Sequence, residues 1–281
     1  MDSKGTFITV RPKDELVGKY ISYYYFHSSD DPGFNRRFFF YPNYKHAVTI
    51  YKNSEAVLNE SGSQIQPSLS ENYASFYSIN TDKELSVILK GAFNKIGIVF
   101  NPLGLNQFIR EPFSDLFSEN ISGFNYYGDA FHSLAATVFN LKDADEKTAQ
   151  LDTFFRERYI GFDEPVVKNA VKELLNSNGS IKVDELSEML EVNRKTLLRL
   201  FRKHLCCSVE EYKKLVMFRN ALNYSQQTEG SSLTDVALYS LYYDQAHYIK
   251  HFKSITGQSP KSLLSRLTQL GNHEVYWNFE D

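Results

Sequence analysis

The chain has 281 residues, 42% of them hydrophobic and 23% charged, which is ordinary globular composition: it excludes wholesale disorder and leaves room for two domains. The formal net charge of −3 argues against a nucleic-acid partner only until the chain is divided. Residues 165–270 carry 15 Lys and Arg against 10 Asp and Glu, residues 1–164 carry 16 against 21, and residues 271–281 carry three acids and no Lys or Arg, so a modestly basic segment sits on an acidic partner.

In chain order, the first residues, Met-Asp-Ser-Lys-Gly-Thr-Phe, hold no apolar segment of signal-peptide length, and no stretch approaches the ~20 apolar residues that span a bilayer. The two cysteines, Cys206 and Cys207, are adjacent and have nothing else to pair with, which fits a reduced setting. A soluble, cytoplasmic protein with no membrane partner is expected. With 22 Phe and 19 Tyr, its cores should be filled largely by rings.

Residues 1–127 read as β-rich. Lys19–His27, Ala47–Tyr51 and Leu85–Phe93 are runs of β-branched and aromatic residues, punctuated at Asp30-Asp31-Pro32-Gly33, Tyr41-Pro42-Asn43 and Glu60-Ser61-Gly62-Ser63. Short strands at this spacing suggest a barrel or a sandwich. The aromatics Tyr23–Phe26 and Phe38–Tyr41 either line a pocket or fill an ordinary strand core. Lys95–Phe100 reads as a strand that ends at Asn101-Pro102-Leu103-Gly104, with a short helix over Leu105–Arg110.

From Asp129 the apolar residues recur at three- and four-residue steps: Phe131, Leu134, Ala135 and Val138, then Leu151, Phe154 and Phe155, then Val167, Val171, Leu174 and Leu175. Residues 128–163 form a helical connector suited to dimerisation. Residues 164–270 form an all-α unit, and residues 271–281 an acidic tail. The fold class is therefore α+β. Gly179 is placed to end a helix.

An internal repeat dominates the helical unit. Phe201, Ser208 and Arg199 correspond to Phe252, Ser259 and Lys250 at an offset of 51, while Leu186-Ser187 correspond to Val236-Ala237 at an offset of 50. Each copy reads as helix, tight turn, helix, and the one-residue difference must fall in the turn. Asn193 and Asp244 are placed to cap the second helices. These present Arg194, Lys195, Leu198, Arg199 and Arg202 in one copy, and Gln245, Ala246, Ile249, Lys250 and Lys253 in the other. Arg and Lys can contact guanine edges or phosphate, Gln can pair with adenine, and Ala and Ile can touch a thymine methyl. Ser208–Gln226 reads as one connecting helix of roughly 28 Å, close to the ~34 Å between successive major-groove faces. An amphipathic helix pair with a solvated face explains one copy as well as a DNA reader does; two copies favour the reader.

Leu233–Pro260 resembles the signature of the AraC-type (AraC/XylS) regulators. The matching residues are Val236-Ala237, Tyr242, Asp244-Gln245-Ala246-His247-Tyr248, Phe252-Lys253, Gly257 and Ser259-Pro260. The first copy, Val183–Phe201, resembles it more loosely. The resemblance implies a sequence-specific transcription regulator with two helix-turn-helix units. By position it assigns DNA contacts to Arg194, Lys195, Leu198 and Arg199, and to Gln245, Ala246, Ile249 and Lys250; His247 is read as a packing or capping residue. The family's turn glycines are replaced by Glu191 and Leu241, and a glycine common before the connecting helix by Cys206. A Leu at positive φ is strained, so turn geometry is where a departure is expected. Lys95–Leu116 is similar to a stretch of the family's β-rich, barrel-like sensor domains, which implies a small-molecule effector, a homodimer and, for an activator, RNA polymerase as a partner.

No enzyme is read. His27, His46 and Glu55 match no metal-ligand spacing, no phosphate loop or nucleophile motif occurs, and the N-terminal half has no cysteine for a methyl-transfer reaction. No cofactor or metal is expected. The alternative to effector control is an N-terminal domain that only dimerises or binds a protein. A third reading is a catalytic barrel with an accessory DNA-binding domain; a polar cluster inside a pocket favours the effector or this third reading, and a closed aromatic core favours the dimerising domain.

Overall fold

The structure, a computed structural model, describes residues 5–59, 62–79, 84–117, 121–228, 232–265, 267–270 and 275–280. Its N-terminal part is built from β1 (Thr6–Val10), the short helix α1 (Val17–Tyr20), β2 (Ile21–Ser29), β3 (Asn35–Phe40), β4 (Ala47–Lys52), β5 (Ser54–Asn59), β6 (Gly62–Pro67), β7 (Tyr73–Ser78), β8 (Leu85–Lys90), β9 (Phe93–Phe100), the short helix α2 (Phe113–Leu116) and β10 (Ile121–Gly123). The strands form two sheets. One has the order β1-β2-β9-β4-β7-β10; the other has β3, β8, β6 and β5 side by side. All pairs are antiparallel except β6 with β8.

Phe38, Val87, Leu89 and Ile65 of the second sheet pack against Tyr51, Phe76, Phe93 and Ile121 of the first, giving one core between the sheets. The expected barrel-like unit is thus a pair of stacked sheets, not joined edge to edge among the described residues. The run Leu85–Phe93 divides at Gly91, whose φ of +69° turns the chain from β8 into β9. The helix expected over Leu105–Arg110 is a single 3-10 turn, Leu105–Gln107.

The outer face of the first sheet is covered by α3 (Asp129–Asn140) and α4 (Ala144–Glu157). Ile96, Ile98 and Phe100 meet Phe131, Leu134, Val138, Leu151 and Phe155 there. Strand β9 is therefore buried on both faces, which is why it reads as a continuous apolar run. The buried carboxylate of Asp152 fastens α4 to the sheet: it accepts from the Tyr24 hydroxyl at 2.8 Å and from the Lys13 and Asp14 backbone N–H groups at 2.7 and 3.0 Å.

The rest is helical: α5 (Pro165–Asn176), α6 (Val183–Met189), α7 (Arg194–Leu205), α8 (Val209–Gln227), α9 (Leu233–Tyr239), α10 (Gln245–Thr256) and α11 (Pro260–Leu264). One core joins α5, α6, α7 and the first half of α8, and another joins the second half of α8 to α9, α10 and α11. The chain then returns to the N-terminal part. The segment read as an acidic tail runs over Val275–Glu280 as strand β12, which pairs with β11 (Leu267–Leu270) and, antiparallel, with β3 (Phe39 opposite Asn278). Residues 271–274 and 281 of that segment lie outside the described residues.

Candidate DNA interface and interdomain pocket

The two helix pairs repeat with the expected offsets. α6 and α9 are seven residues each, displaced by 50; α7 and α10 are twelve each, displaced by 51. Both turns use one backbone solution. Glu191 and Leu241 take the left-handed conformation, at φ of 53° and 60°, and the next N–H donates back to the first helix: Val192 to the Ser187 carbonyl at 3.0 Å and Tyr242 to the Ala237 carbonyl at 2.9 Å. The residues that replace the family's glycines therefore keep the glycine geometry. Cys206 does the same at φ of 55° before α8. The extra residue of the second turn is Tyr243, between Tyr242 and the cap Asp244; its side chain is 90% exposed.

Capping then starts each reading helix. Asn193 Oδ1 accepts from the Thr196 N–H at 2.8 Å, and Asp244 Oδ1 from the His247 N–H at 2.7 Å. The His247 ring lies edge-on to Tyr242, at 5.3 Å between centroids. Leu197, Leu200 and Phe201 on α7, and Tyr248, Phe252 and Ile255 on α10, are buried. The opposite faces leave Arg194, Lys195, Arg199 and Arg202, and Gln245, Ala246, Lys250 and Lys253, exposed; Leu198 and Ile249 are half-buried at the margins. Two of these side chains already have partners on the preceding helix. Arg194 lies 3.2 Å from Asp184, an exposed pair that phosphate can displace at little cost. The Gln245 side-chain oxygen accepts from the Thr234 hydroxyl at 3.0 Å.

α8 joins the two units. Ser208 and Glu211 cap its start reciprocally: the Ser208 hydroxyl accepts from the Glu211 N–H at 3.2 Å, and the Glu211 carboxylate accepts from the Ser208 N–H at 2.6 Å. Its 19 residues match the expected length, one position later in the chain.

The N-terminal part reaches both helix-turn-helix cores. Leu103 enters the first and Tyr41 the second. Asn106 Nδ2 donates to the His204 carbonyl at 3.1 Å, and Arg219 of α8 donates to the Tyr41 carbonyl at 3.0 Å.

Between the sheets, and open to α8, lies a cavity of about 130 Å³. The sequence left Tyr23–Phe26 and Phe38–Tyr41 as pocket or core, and the structure divides them. Tyr23, Tyr25, Phe39, Phe40 and Tyr41 line the cavity, while Tyr24 and Phe26 face the helices and Phe38 packs between the sheets. Gly97 makes room for Tyr25: a Cβ there would stand 1.9 Å from the Tyr25 ring, so only glycine lets that ring lie on β9. Lys45, Lys95 and Arg219 also line the cavity, and no Asp or Glu does among the described residues. Lys45 Nζ donates to the Ser22 hydroxyl at 2.8 Å. Arg219 Nε is closed off from solvent without a hydrogen-bond partner, and burial lowers the guanidinium pKa to about 10.

Sequence reasoning passed over these three cations, although two of them left a trace. Arg219 falls on the apolar stripe of α8, between Leu215, Val216 and Leu222. Lys95 interrupts the apolar run of β9. Elsewhere, no group of three or more His, Cys, Asp or Glu side chains suited to a metal occurs among the described residues, and no helix there is long and apolar enough to cross a membrane.

Residues 186–266 match a family model described as a helix-turn-helix domain. No curated protein matches the chain. Among solved structures, the chain is similar to ToxT from Vibrio cholerae, at 14% identity over 94% of this chain and 98% of that one, with a TM-score of 0.49. A ToxT structure described as bound to an unsaturated fatty acid is similar at 11% identity, over 85% of this chain and 96% of that one, with a TM-score of 0.48. The C-terminal domain of AraT, a response regulator from Geobacillus stearothermophilus, is 22% identical over 35% of this chain and 83% of that one, with a TM-score of 0.33. The family match, the long signature over Leu233–Pro260 and the duplicated, capped helix pairs agree: residues 186–266 are a helix-turn-helix domain of the AraC/XylS type, and the chain that carries them is a DNA-binding regulator.

Proposed function

We propose that the chain reads two successive major-groove segments of duplex DNA, one with α7 and one with α10, under the control of a small anionic molecule held in the interdomain cavity. The observation that carries the DNA half is the equality of the two helix pairs, each with its polar face exposed and both fixed to one 19-residue helix. Arg194, Lys195, Leu198 and Arg199 in the first unit, and Gln245, Ala246, Ile249 and Lys250 in the second, are the contacts assigned. Phosphate neutralisation makes binding fall steeply with salt. Base contacts make Arg199→Ala and Gln245→Ala change sequence preference, at ~1–3 kcal/mol for each good bidentate pair. Unchanged affinity and preference in both variants would overturn the docking.

The effector half rests on the cavity's own chemistry. Apolar and aromatic walls suit an apolar body, while the cations Lys45 and Arg219 suit an anionic end. Because Arg219 belongs to α8 and Tyr41 to the second helix-turn-helix core, a ligand there touches the element that sets the spacing of the two units. A ligand acts only through different affinity for two states. Calorimetric titration with benzoate and medium-chain carboxylates, against the matching alcohols, is the test. Binding of the acids that weakens about tenfold or more in Arg219→Gln supports the reading, and equal binding of acids and alcohols contradicts it. The cavity between the sheets supports this reading over a domain that only dimerises.

A further inference from the structure

Lys95 is unlike the other two cations of the cavity. It stands in mid-strand on β9, paired in register with His27 of β2 and Tyr51 of β4, and it is 1% exposed. Its Nζ lies 5.2 Å from the Tyr25 ring centroid, 5.2 Å from that of Tyr51 and 5.5 Å from that of Phe40, at the wall of the same cavity.

We propose that Lys95 is a covalent receptor, condensing reversibly with the carbonyl of an aldehyde ligand to form an imine. The proposal rests on the reading that the cavity takes a small molecule.

The chemistry follows from the surroundings. Burial lowers the Lys95 pKa to about 7, so a large share of the side chain is an unprotonated amine near neutral pH, whereas an exposed lysine is almost wholly ammonium. The neutral nitrogen adds to the carbonyl carbon, forming the C–N bond while the C=O pair moves onto oxygen. One amine proton passes to that oxygen, and the hydroxyl takes up the second as it leaves as water and the C=N bond forms. No oxidant or reductant is needed. Protonated, the imine is a cation again, and the ring faces of Tyr25, Tyr51 and Phe40 stabilise it as they stabilise the ammonium. Burial thus supplies the reactive amine, and the ring faces favour its cationic adduct. Lys45 and Arg219 line the same cavity, so an aldehyde that also carries a carboxylate can satisfy both ends.

The test uses the full chain with 4-formylbenzoate and cyanoborohydride, read by intact and peptide mass spectrometry. The expected product is one adduct at Lys95, heavier by the mass of the aldehyde less one oxygen atom, forming on the order of a hundredfold faster than at exposed lysines. It is absent in Lys95→Arg, which keeps the charge, and in Lys95→Met, which keeps the stem. Adducts spread over the surface lysines of the wild-type chain would overturn the proposal without recourse to any variant. Benzoate separates this from the effector reading. If benzoate binds and Lys95 is not labelled, the imine is wrong and the anion-binding cavity stands. If neither compound binds and Lys95 is not labelled, both are wrong. If Lys95 is labelled but benzoate does not bind, the carbonyl and not the charge is what the cavity recognises.

Discussion

At the scale of single residues, the departures from the family signature are the most telling positions. Glu191 and Leu241 stand where the family has glycine, yet both adopt φ near +55°. A left-handed non-glycine residue costs ~1–2 kcal/mol and glycine loses somewhat more entropy on folding, so Glu191→Gly and Leu241→Gly should each stabilise the chain by about 0.5–1 kcal/mol. Leu241 is 47% exposed, so little apolar burial is lost with it. A melt in denaturant that moves the other way would show the turns to be held by side-chain contacts instead. Buried histidines give a second prediction. His46 is buried against Phe113 and Tyr77, whose hydroxyl lies 2.7 Å from Nδ1, and burial lowers its pKa to about 4. As pH falls below the unfolded value of ~6.5, the unfolded chain takes up the proton and the folded chain does not, so stability declines down to about pH 4 and is regained as pH rises. The loss is on the order of 2–3 kcal/mol for a fully buried group, and half-buried His251, also lowered to about 4, adds in the same direction. Tm measured from pH 7 to pH 5 should fall, and His46→Gln should make the slope shallower; an unchanged slope would place the pH dependence elsewhere.

Among the elements, what was legible in the sequence is what local chemistry dictates. Asn193, Ser208 and Asp244 each start a helix because each short side chain can satisfy an orphan N–H of the first turn. The offsets of 50 and 51 located the extra turn residue before any coordinate did, and it is Tyr243. The long connecting helix was readable from its stripe. Strand alternation was not enough to divide Tyr23–Phe26 into cavity and core residues, because both faces of the first sheet are covered and both read as apolar. The pairing of β12 with β3 left no trace either: it brings together residues more than two hundred positions apart, and period-2 patterns carry no partner information. α8 yields the prediction at this scale. One alanine inserted after Val216, between the residues that α8 gives to the first and second cores, turns the second unit by about 100° and advances it by about 1.5 Å relative to the first. Binding should then reduce to one unit's half-site, as read by footprinting; an intact two-part footprint would mean that α8 does not set the spacing.

Over the whole molecule, the chemistry is distributed between the halves. The acidic, β-rich half supplies the cavity walls, and the basic, helical half supplies Arg219 and the exposed faces of α7 and α10. That division was visible as a charge asymmetry. The cavity was not, because its three cations come from β9, the turn before β4 and α8, which only the fold brings together. Tyr41 and Leu103 plug into the second and first helix-turn-helix cores, so the β-rich half can bias how the two units are set. Control of DNA binding from the cavity presupposes that the two units read DNA together. The most direct measurement is a selection of bound duplexes from a random-sequence pool by the purified chain, at two salt concentrations. The account predicts one enriched motif with two parts centred about one helical turn apart, its Arg199 half and its Gln245 half separately blurred by alanine substitution. A single short motif, or sequence-blind binding that vanishes as salt rises, would contradict it.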